Sequence, residues 1–80
     1  MTDIQKVRRL RRDEASRYLN DGWGISRTQK TLAKLAVTGG GPAFRKDGRF
    51  PLYETDALDE WARAQLSEQV YSTAELRMAA

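Results

Sequence analysis

Apolar residues recur at helical spacing in three segments of the chain, and a short apolar stretch lies between the second and third segments. In the first segment, residues 12–19, the side chains of Ala15, Tyr18 and Leu19 fall on one helical face. A polar stretch with a glycine follows at residues 20–22 and is typical of a helix end. We therefore predict a first helix over residues 12–19.

A second helix is predicted between a polar capping position and the glycine-proline run at residues 39–42. Ser26 or Thr28 can cap its N-terminus, because a hydroxyl accepts a hydrogen bond from the free N–H groups of the first turn. Glycine takes the left-handed conformation at a helix end, and proline cannot continue a helix. The predicted buried stripe is Thr28, Leu32, Leu35 and Ala36, and the polar face is Arg27, Lys30, Thr31, Lys34 and Thr38.

A short β-hairpin is predicted directly after this glycine stop. Asp47 followed by Gly48 is typical of a two-residue type I′ turn, since both central positions of that turn need a positive φ. We expect Phe44 and Leu52 to point toward the core. Pro51 indicates an edge strand, because proline has no N–H for the strand ladder.

The third helical segment begins near Thr55, which can cap a helix N-terminus. Its apolar residues are expected to pack on the first two helices, with Trp61 buried between them. Leu10 is expected to pack at the start of the first helix, and Trp23 to cover the core. The apolar positions are Ala57, Leu58, Trp61, Ala62 and Leu66, and the outward positions are Asp59, Glu60 and Arg63.

Both ends of the chain are predicted to lie outside the packed domain, which we place at residues 10–66. Residues 1–9 form a flexible basic lead, which is either a solvated tail or an arm on DNA phosphates. Residues 67–80 form a tail in which residues 72–75 match a capping box. The tail is therefore either a frayed terminus or a short helix available for self-association.

The composition excludes several classes of protein. We expect the 80 residues to form one small domain, without a second domain for sensing an effector and without a signal peptide, and they contain no apolar run of membrane length. Neither Cys nor His occurs, which excludes disulfide scaffolds, zinc sites made of those residues, and catalysis by Cys–His or Ser–His–Asp groups. We expect no catalytic residues, no metal and no cofactor, and a cytoplasmic protein.

The net charge of +3 is distributed unevenly along the chain. Residues 1–49 contain 12 basic and 5 acidic side chains, a formal charge of +7, whereas residues 50–80 contain 2 basic and 6 acidic ones, a formal charge of −4. A basic helix followed by a basic hairpin fits a helix in the major groove of double-stranded DNA, with the hairpin on the flanking backbone. The alternative is a solvated basic helix beside an ordinary hairpin.

Over residues 10–66 the sequence resembles the excisionase-type winged helix-turn-helix proteins, which are related in fold to the DNA-binding domain of mercury-resistance regulators. The resemblance implies a mostly α fold with a small β-hairpin, namely three helices plus a wing. It rests on the order of the following residues: Glu14, Ala15, Tyr18 and Leu19, residues 31–35, residues 37–42 with Phe44, Gly48, Arg49, Tyr53, residues 56–58 and Trp61.

This resemblance implies a non-enzymatic, bacterial nucleoid-associated protein that binds DNA. Some members are excisionases, also called recombination directionality factors, which bend attachment-site DNA and bias an integrase, a tyrosine recombinase, toward excision of a mobile genetic element. The candidate contacts are Arg27, Thr28, Gln29, Lys30, Thr31 and Lys34 on the recognition helix, Arg45, Lys46 and Arg49 on the wing, and Arg11, Arg12 and Arg17 on the DNA backbone.

Two other functions fit the same residues. The first is transcription regulation of a mobile element, which would use the same DNA contacts. The second is a protein-interaction adaptor that binds a partner through Trp23 and the acidic third helix. Because the chain has one basic and one acidic part, copies bound to DNA can also associate head to tail.

Overall fold

The computed structural model describes residues 8–66 and 69–72. Within these residues, three α-helices and a three-stranded antiparallel sheet surround one apolar core. The three predicted helices and the predicted hairpin are therefore present. The elements in chain order are β1 (Arg9–Leu10), α1 (Arg12–Tyr18), a π-helical turn (Leu19–Trp23), α2 (Gln29–Thr38), β2 (Arg45–Asp47), β3 (Phe50–Glu54) and α3 (Thr55–Gln65).

The sheet contains a strand, β1, that was not predicted. β3 lies in the centre of the sheet, between β1 and β2. β1 pairs Arg9 with Glu54 and Leu10 with Tyr53, in antiparallel orientation. Arg9 therefore belongs to the sheet rather than to the predicted N-terminal lead, and residues 1–7 of that lead lie outside the described residues.

The helical path that begins with α1 ends later than predicted. It continues past Asn20 in a π-helical turn and ends at Gly24, which has a φ of 69°. The N–H of Gly24 donates to the Asn20 carbonyl at 3.1 Å, and the N–H of Ile25 donates to the Leu19 carbonyl at 3.0 Å. These bonds reduce the connection before α2 to residues 24–28 and bring Ile25 into the core.

Thr28, and not Ser26, caps α2. The Thr28 hydroxyl accepts a hydrogen bond from the N–H of Thr31 at 3.1 Å, and the helix begins at Gln29. Arg27 therefore precedes the helix, although it was predicted to lie on the polar face of that helix. The cap also explains why Thr28 is exposed rather than part of the buried stripe.

Glycines end α2 and turn the hairpin as predicted, but the conformation of the helix end and the type of turn differ from those predicted. Gly39 ends α2 with a φ of 94° and a ψ of 164°, outside the left-handed helical region. In the hairpin Asp47 pairs with Phe50, so the two-residue loop is Gly48 and Arg49. Gly48 has a φ of 64°, and no other residue type in the described part has a positive φ. The turn therefore follows the type II′ pattern, with glycine at the first central position, and the predicted type I′ is wrong.

The core contains residues from all three helices, from the connection before α2, and from β1 and β3. Leu10, the apolar stripe of the first helix, and Leu58 and Ala62 of the third helix pack as predicted. The buried members of this core are Leu10, Ala15, Leu19, Ile25, Leu32, Tyr53, Leu58 and Ala62, with Tyr18, Trp23, Phe44 and Trp61 packed against them.

Other core predictions are corrected. Tyr53, and not Leu52, is the buried residue of β3, because neighbouring residues of a strand point to opposite faces. Leu66 follows α3 and is 51% exposed, so it does not contribute to the helix packing. The predicted tail falls mostly outside the described residues, which include only residues 69–72 of it.

Trp61 is half-buried, which corrects the prediction that it lies enclosed between the helices. Its indole Nε1 donates to the Gly40 carbonyl at 2.9 Å, and the Arg27 guanidinium lies 5.7 Å from the centre of its ring. Through this bond α3 holds the glycine segment that connects α2 to β2. Trp61 therefore fixes that connection instead of filling the centre of the core.

Asp59 was predicted to face outward, but it is half-buried and accepts two hydrogen bonds. The Tyr18 hydroxyl donates to its Oδ1 at 2.7 Å, and the Trp23 Nε1 donates to the same oxygen at 2.8 Å. The bond from Tyr18 holds the pKa of Asp59 below its ordinary value of 3.8, against the opposing effect of burial. The same bond raises the pKa of Tyr18 above 10.0. One carboxylate therefore joins α1, the π-helical turn and α3.

Asp59→Ala is expected to lower the free energy of unfolding by about 2 kcal/mol, because two partly buried donors lose their acceptor. The stability of the parent should also fall with pH below about 4, since a carboxylate with a lowered folded pKa loses its contribution as it is protonated. Asp59→Asn keeps an acceptor oxygen but does not titrate, so its free energy of unfolding should fall less at acidic pH than that of the parent. Urea unfolding at several acidic pH values and at neutral pH measures both effects.

Glu60→Ala is the matched control, because Glu60 is the next residue of α3 and is exposed. Its unfolding free energy should stay within about 0.5 kcal/mol of the parent. Equal losses in Asp59→Ala and Glu60→Ala would show that the shared carboxylate does not join the three elements.

Candidate nucleic-acid interface

The outer face of α2 presents two lysines and a valine. Lys30, Lys34 and Val37 follow one another at spacings of four and three residues, which places them on one side of the helix. All three are exposed, whereas Leu32 on the opposite side is buried. The hydrophobic pattern thus orients α2 so that its cations point away from the core.

The hairpin adds two further cations beside this face. A cleft of about 340 Å³ separates the hairpin from α2, and its lining includes Ala33 and Val37 from the helix and Lys46, Arg49 and Pro51 from the hairpin. Lys46 and Pro51 are directly paired across β2 and β3, so they share one face of the sheet. Strand alternation therefore brings Lys46 to the side on which α2 lies.

We call Lys30, Lys34, Lys46 and Arg49 the basic face. Within the described residues, none of these four side chains makes an ion pair with a carboxylate. Four cations without acidic partners on adjacent elements produce a local positive potential. Such a surface attracts anionic polymers.

A second hollow continues the surface toward the start of α1. It measures about 350 Å³ and is lined by residues that include Arg11, Gln29 and Phe50. The guanidinium of Arg11 lies 4.4 Å from the centre of the Phe50 ring, a cation–π contact. Arg12 lines both hollows, and its Nε donates to the Tyr53 hydroxyl at 3.0 Å. Arg11, which precedes α1, and Arg12, its first residue, therefore lie at the edge of this surface.

Arg45 differs from the other two hairpin cations because it binds a carboxylate. Its Nε lies 2.9 Å from Oε2 of Glu54, and the Nε of Arg9 lies 3.3 Å from the same oxygen. The hydrogen bond from Arg45 holds the pKa of Glu54 below its ordinary value of 4.5. Arg45 is paired with Leu52 rather than with Pro51, so it lies on the face of the sheet opposite Lys46.

Besides Arg45, two further predicted contacts, Arg17 and Arg27, lie apart from the basic face. Arg17 pairs with Asp13 at 3.7 Å within α1 and lines a separate hollow together with Asp21. Arg27 is half-buried, with its guanidinium near the Trp61 ring.

The predicted contacts Thr28 and Thr31 have a structural role at the start of α2. Besides accepting from the N–H of Thr31, the Thr28 hydroxyl donates to the Thr31 hydroxyl at 3.0 Å. Both hydroxyls therefore bind each other at the helix cap. Gln29 and Lys30 are exposed in the first turn directly after this cap.

Sequence reasoning did not assign Val37 and Phe50 to this surface, because both are apolar. Val37 is 86% exposed and Phe50 is 45% exposed. A signal for Val37 was present, since it lies three residues after Lys34 on the polar side of the helix. The position of Phe50 depends on the contact with Arg11, which the sequence alone does not reveal.

No protein-family model matches the chain, and no curated protein matches it significantly. Of the helices in residues 8–66 and 69–72, none combines the length and the apolar character that a membrane crossing requires. In the same part of the chain, no three His, Cys, Asp or Glu side chains are grouped so that they could hold a metal ion.

If DNA binds at the basic face, substitutions on the two faces of the hairpin should lower DNA affinity by different amounts. Arg49→Ala should weaken binding to all DNA sequences similarly and reduce the slope of log affinity against log salt by about one unit, the effect of losing one phosphate contact. Lys46→Ala should act in the same way. A fluorescence titration with random-sequence duplex DNA at several salt concentrations measures this slope.

Arg45→Ala serves as the matched control, because it removes the same charge from the same hairpin. The salt slope should fall less than half as much with Arg45→Ala as with Arg49→Ala, because Arg45 must leave Glu54 before it can bind a phosphate. If Arg45→Ala reduces the slope as much as Arg49→Ala does, the ion pair with Glu54 does not separate the two faces of the hairpin.

Proposed function

We propose that this protein is a DNA-binding winged helix-turn-helix protein. In this proposal α1 and α2 form the helix-turn-helix, α2 is the recognition helix in the major groove, and the β2–β3 hairpin is the wing on the flanking backbone. The protein has no catalytic role and needs no cofactor. Its partner is double-stranded DNA.

The observation that supports this proposal most directly is the basic face. Lys46 and Arg49 of the hairpin line the cleft beside α2, together with Val37 of the helix. Lys30 and Lys34 are exposed on the same side of α2 as Val37. An α-helix fits the width of the major groove, and an adjacent hairpin then lies beside the phosphates that border the groove. Cations on both elements can therefore contact one DNA duplex at the same time.

We propose that the first turn of α2 reads bases. Residues near the N-terminus of a recognition helix usually meet base edges. Gln29 and Lys30 are exposed at this position. Glutamine can pair with adenine and lysine with guanine in the major groove, whereas Thr28 and Thr31 are engaged in the cap.

Within DNA binding, we propose the role of an excisionase. This finer proposal rests on the resemblance of residues 10–66 to excisionase-type proteins. The protein would bind an attachment site, bend it, and bias an integrase toward excision of a mobile element. Transcription regulation would use the same DNA contacts, so only a functional assay separates the two roles.

Gln29→Ala and Lys30→Ala are each expected to cost about 1–3 kcal/mol of binding free energy on the specific site, because each removes a base contact. The loss on random DNA should be smaller. Electrophoretic mobility shifts with a site selected from random duplexes and with an unselected duplex provide the comparison. Equal losses on both duplexes would limit these side chains to backbone contacts.

Gln65→Ala is a control for the loss of an exposed glutamine, since Gln65 ends α3. It should leave both affinities unchanged within error. A loss with Gln65→Ala as large as with Gln29→Ala would place the DNA on another surface.

An excision assay tests the proposed role. An integrase and the two recombined attachment sites of its mobile element are combined with or without this protein, and the excised circle is quantified. The excisionase proposal expects excision to depend on the protein and to fall in Lys30→Ala. Specific DNA binding without any effect on excision would favour the regulator role.

A further inference from the structure

Val37 is an apolar side chain in a position where folding does not require one. It is 86% exposed and lies one helical turn beyond Lys34 on the outer face of α2. Valine is also a weaker helix former than alanine, because its branched side chain loses rotamer freedom in a helix. Neither core packing nor helix propensity therefore accounts for valine at position 37.

The surroundings of Val37 combine an apolar floor with a cationic rim. In the cleft between α2 and the hairpin, Lys46 and Arg49 lie at the hairpin side. The apolar lining is Ala33, Ala36, Val37, Phe44 and Pro51. The small side chain of Ala33 leaves the methyl groups of Val37 accessible. A ligand for this place has an anionic backbone with an apolar group beside it.

DNA offers one apolar group in its major groove, the C5-methyl group of thymine. We propose that Val37 determines specificity by contacting a thymine methyl group when α2 lies in the major groove. This inference rests on the proposed function, because it needs α2 to be the recognition helix. It adds a base preference that the charged residues of α2 do not provide.

Charge complementarity favours DNA over a protein partner at this position. A protein-docking surface needs a contiguous apolar patch, often of a few hundred Å². Val37 is instead flanked by Lys34 on its own helix and faces Lys46 and Arg49 across the cleft. An apolar side chain bordered by cations matches a methyl group next to phosphates.

Replacing thymine by uracil tests the contact, because uracil lacks only the C5-methyl group and pairs with adenine in the same way. The full chain is first used to select a preferred site from a pool of random duplexes. Duplexes of that site are then made with each thymine replaced in turn by uracil, and their dissociation constants are measured by fluorescence anisotropy. The parent should bind about fourfold more weakly when the contacted methyl group is removed.

Val37→Ala should bind the thymine and uracil duplexes with equal affinity, because its shorter side chain no longer reaches the methyl group. The substitution should not disturb folding, since Val37 is exposed and alanine favours helix. Lys34→Ala is the matched control on the same face. It should weaken binding to both duplexes and keep the fourfold ratio between them.

The outcomes separate this inference from the proposed function. A parent that binds its site but is insensitive to uracil at every thymine overturns the thymine contact and leaves the recognition helix in place. If Val37→Ala still binds the thymine duplex about fourfold more tightly than the uracil duplex, a residue other than Val37 contacts the methyl group. Absence of DNA binding at low salt, seen already at the selection step, overturns the proposed function and this inference together.

Discussion

The arrangement of the basic face depends on the burial of Tyr53 at the centre of the sheet. Tyr53 is 1% exposed, and its strand, β3, pairs with both other strands. The Nε of Arg12 donates to its hydroxyl, and the Phe44 ring lies 5.5 Å from its own. An isolated two-stranded hairpin is marginally stable in water. The positions of Lys46 and Arg49 beside α2 therefore depend on the anchoring of β3 by one aromatic side chain.

The glycine segment between α2 and the hairpin would be flexible by composition, but tertiary contacts fix it. Trp61 donates to the Gly40 carbonyl, and Pro42 is buried. A Cβ atom added at Gly41 would lie 2.9 Å from the Cβ of Leu35, so the backbone packs directly on α2. Three glycines raise the entropy lost on folding, and these contacts offset that loss. The separation of helix and hairpin is thus set before any ligand binds.

Local patterns were sufficient to predict the helices, the glycine stop and the cations of the basic face, because each depends on neighbours within a few residues. The missed features depend on distant partners. The bond between Tyr18 and Asp59 joins residues 41 positions apart, and no local pattern distinguishes Asp59 from the exposed Glu60. The hairpin register was also missed. Its loop is formed by Gly48 and Arg49, one residue later than predicted, and this shift changes which cations lie on the same face of the sheet.

Ion pairs, rather than net charge, determine which side of the molecule can receive a polyanion. Arg9 and Arg45 share Glu54 on one face of the sheet, so a phosphate approaching that face must compete with a carboxylate already in place. On the basic face a phosphate displaces only water and counterions, whose release favours binding. The net charge of +3 would attract DNA weakly from any direction. In the proposed DNA complex, pairing by Glu54 would therefore favour an orientation with α2 and the inner side of the hairpin toward the DNA.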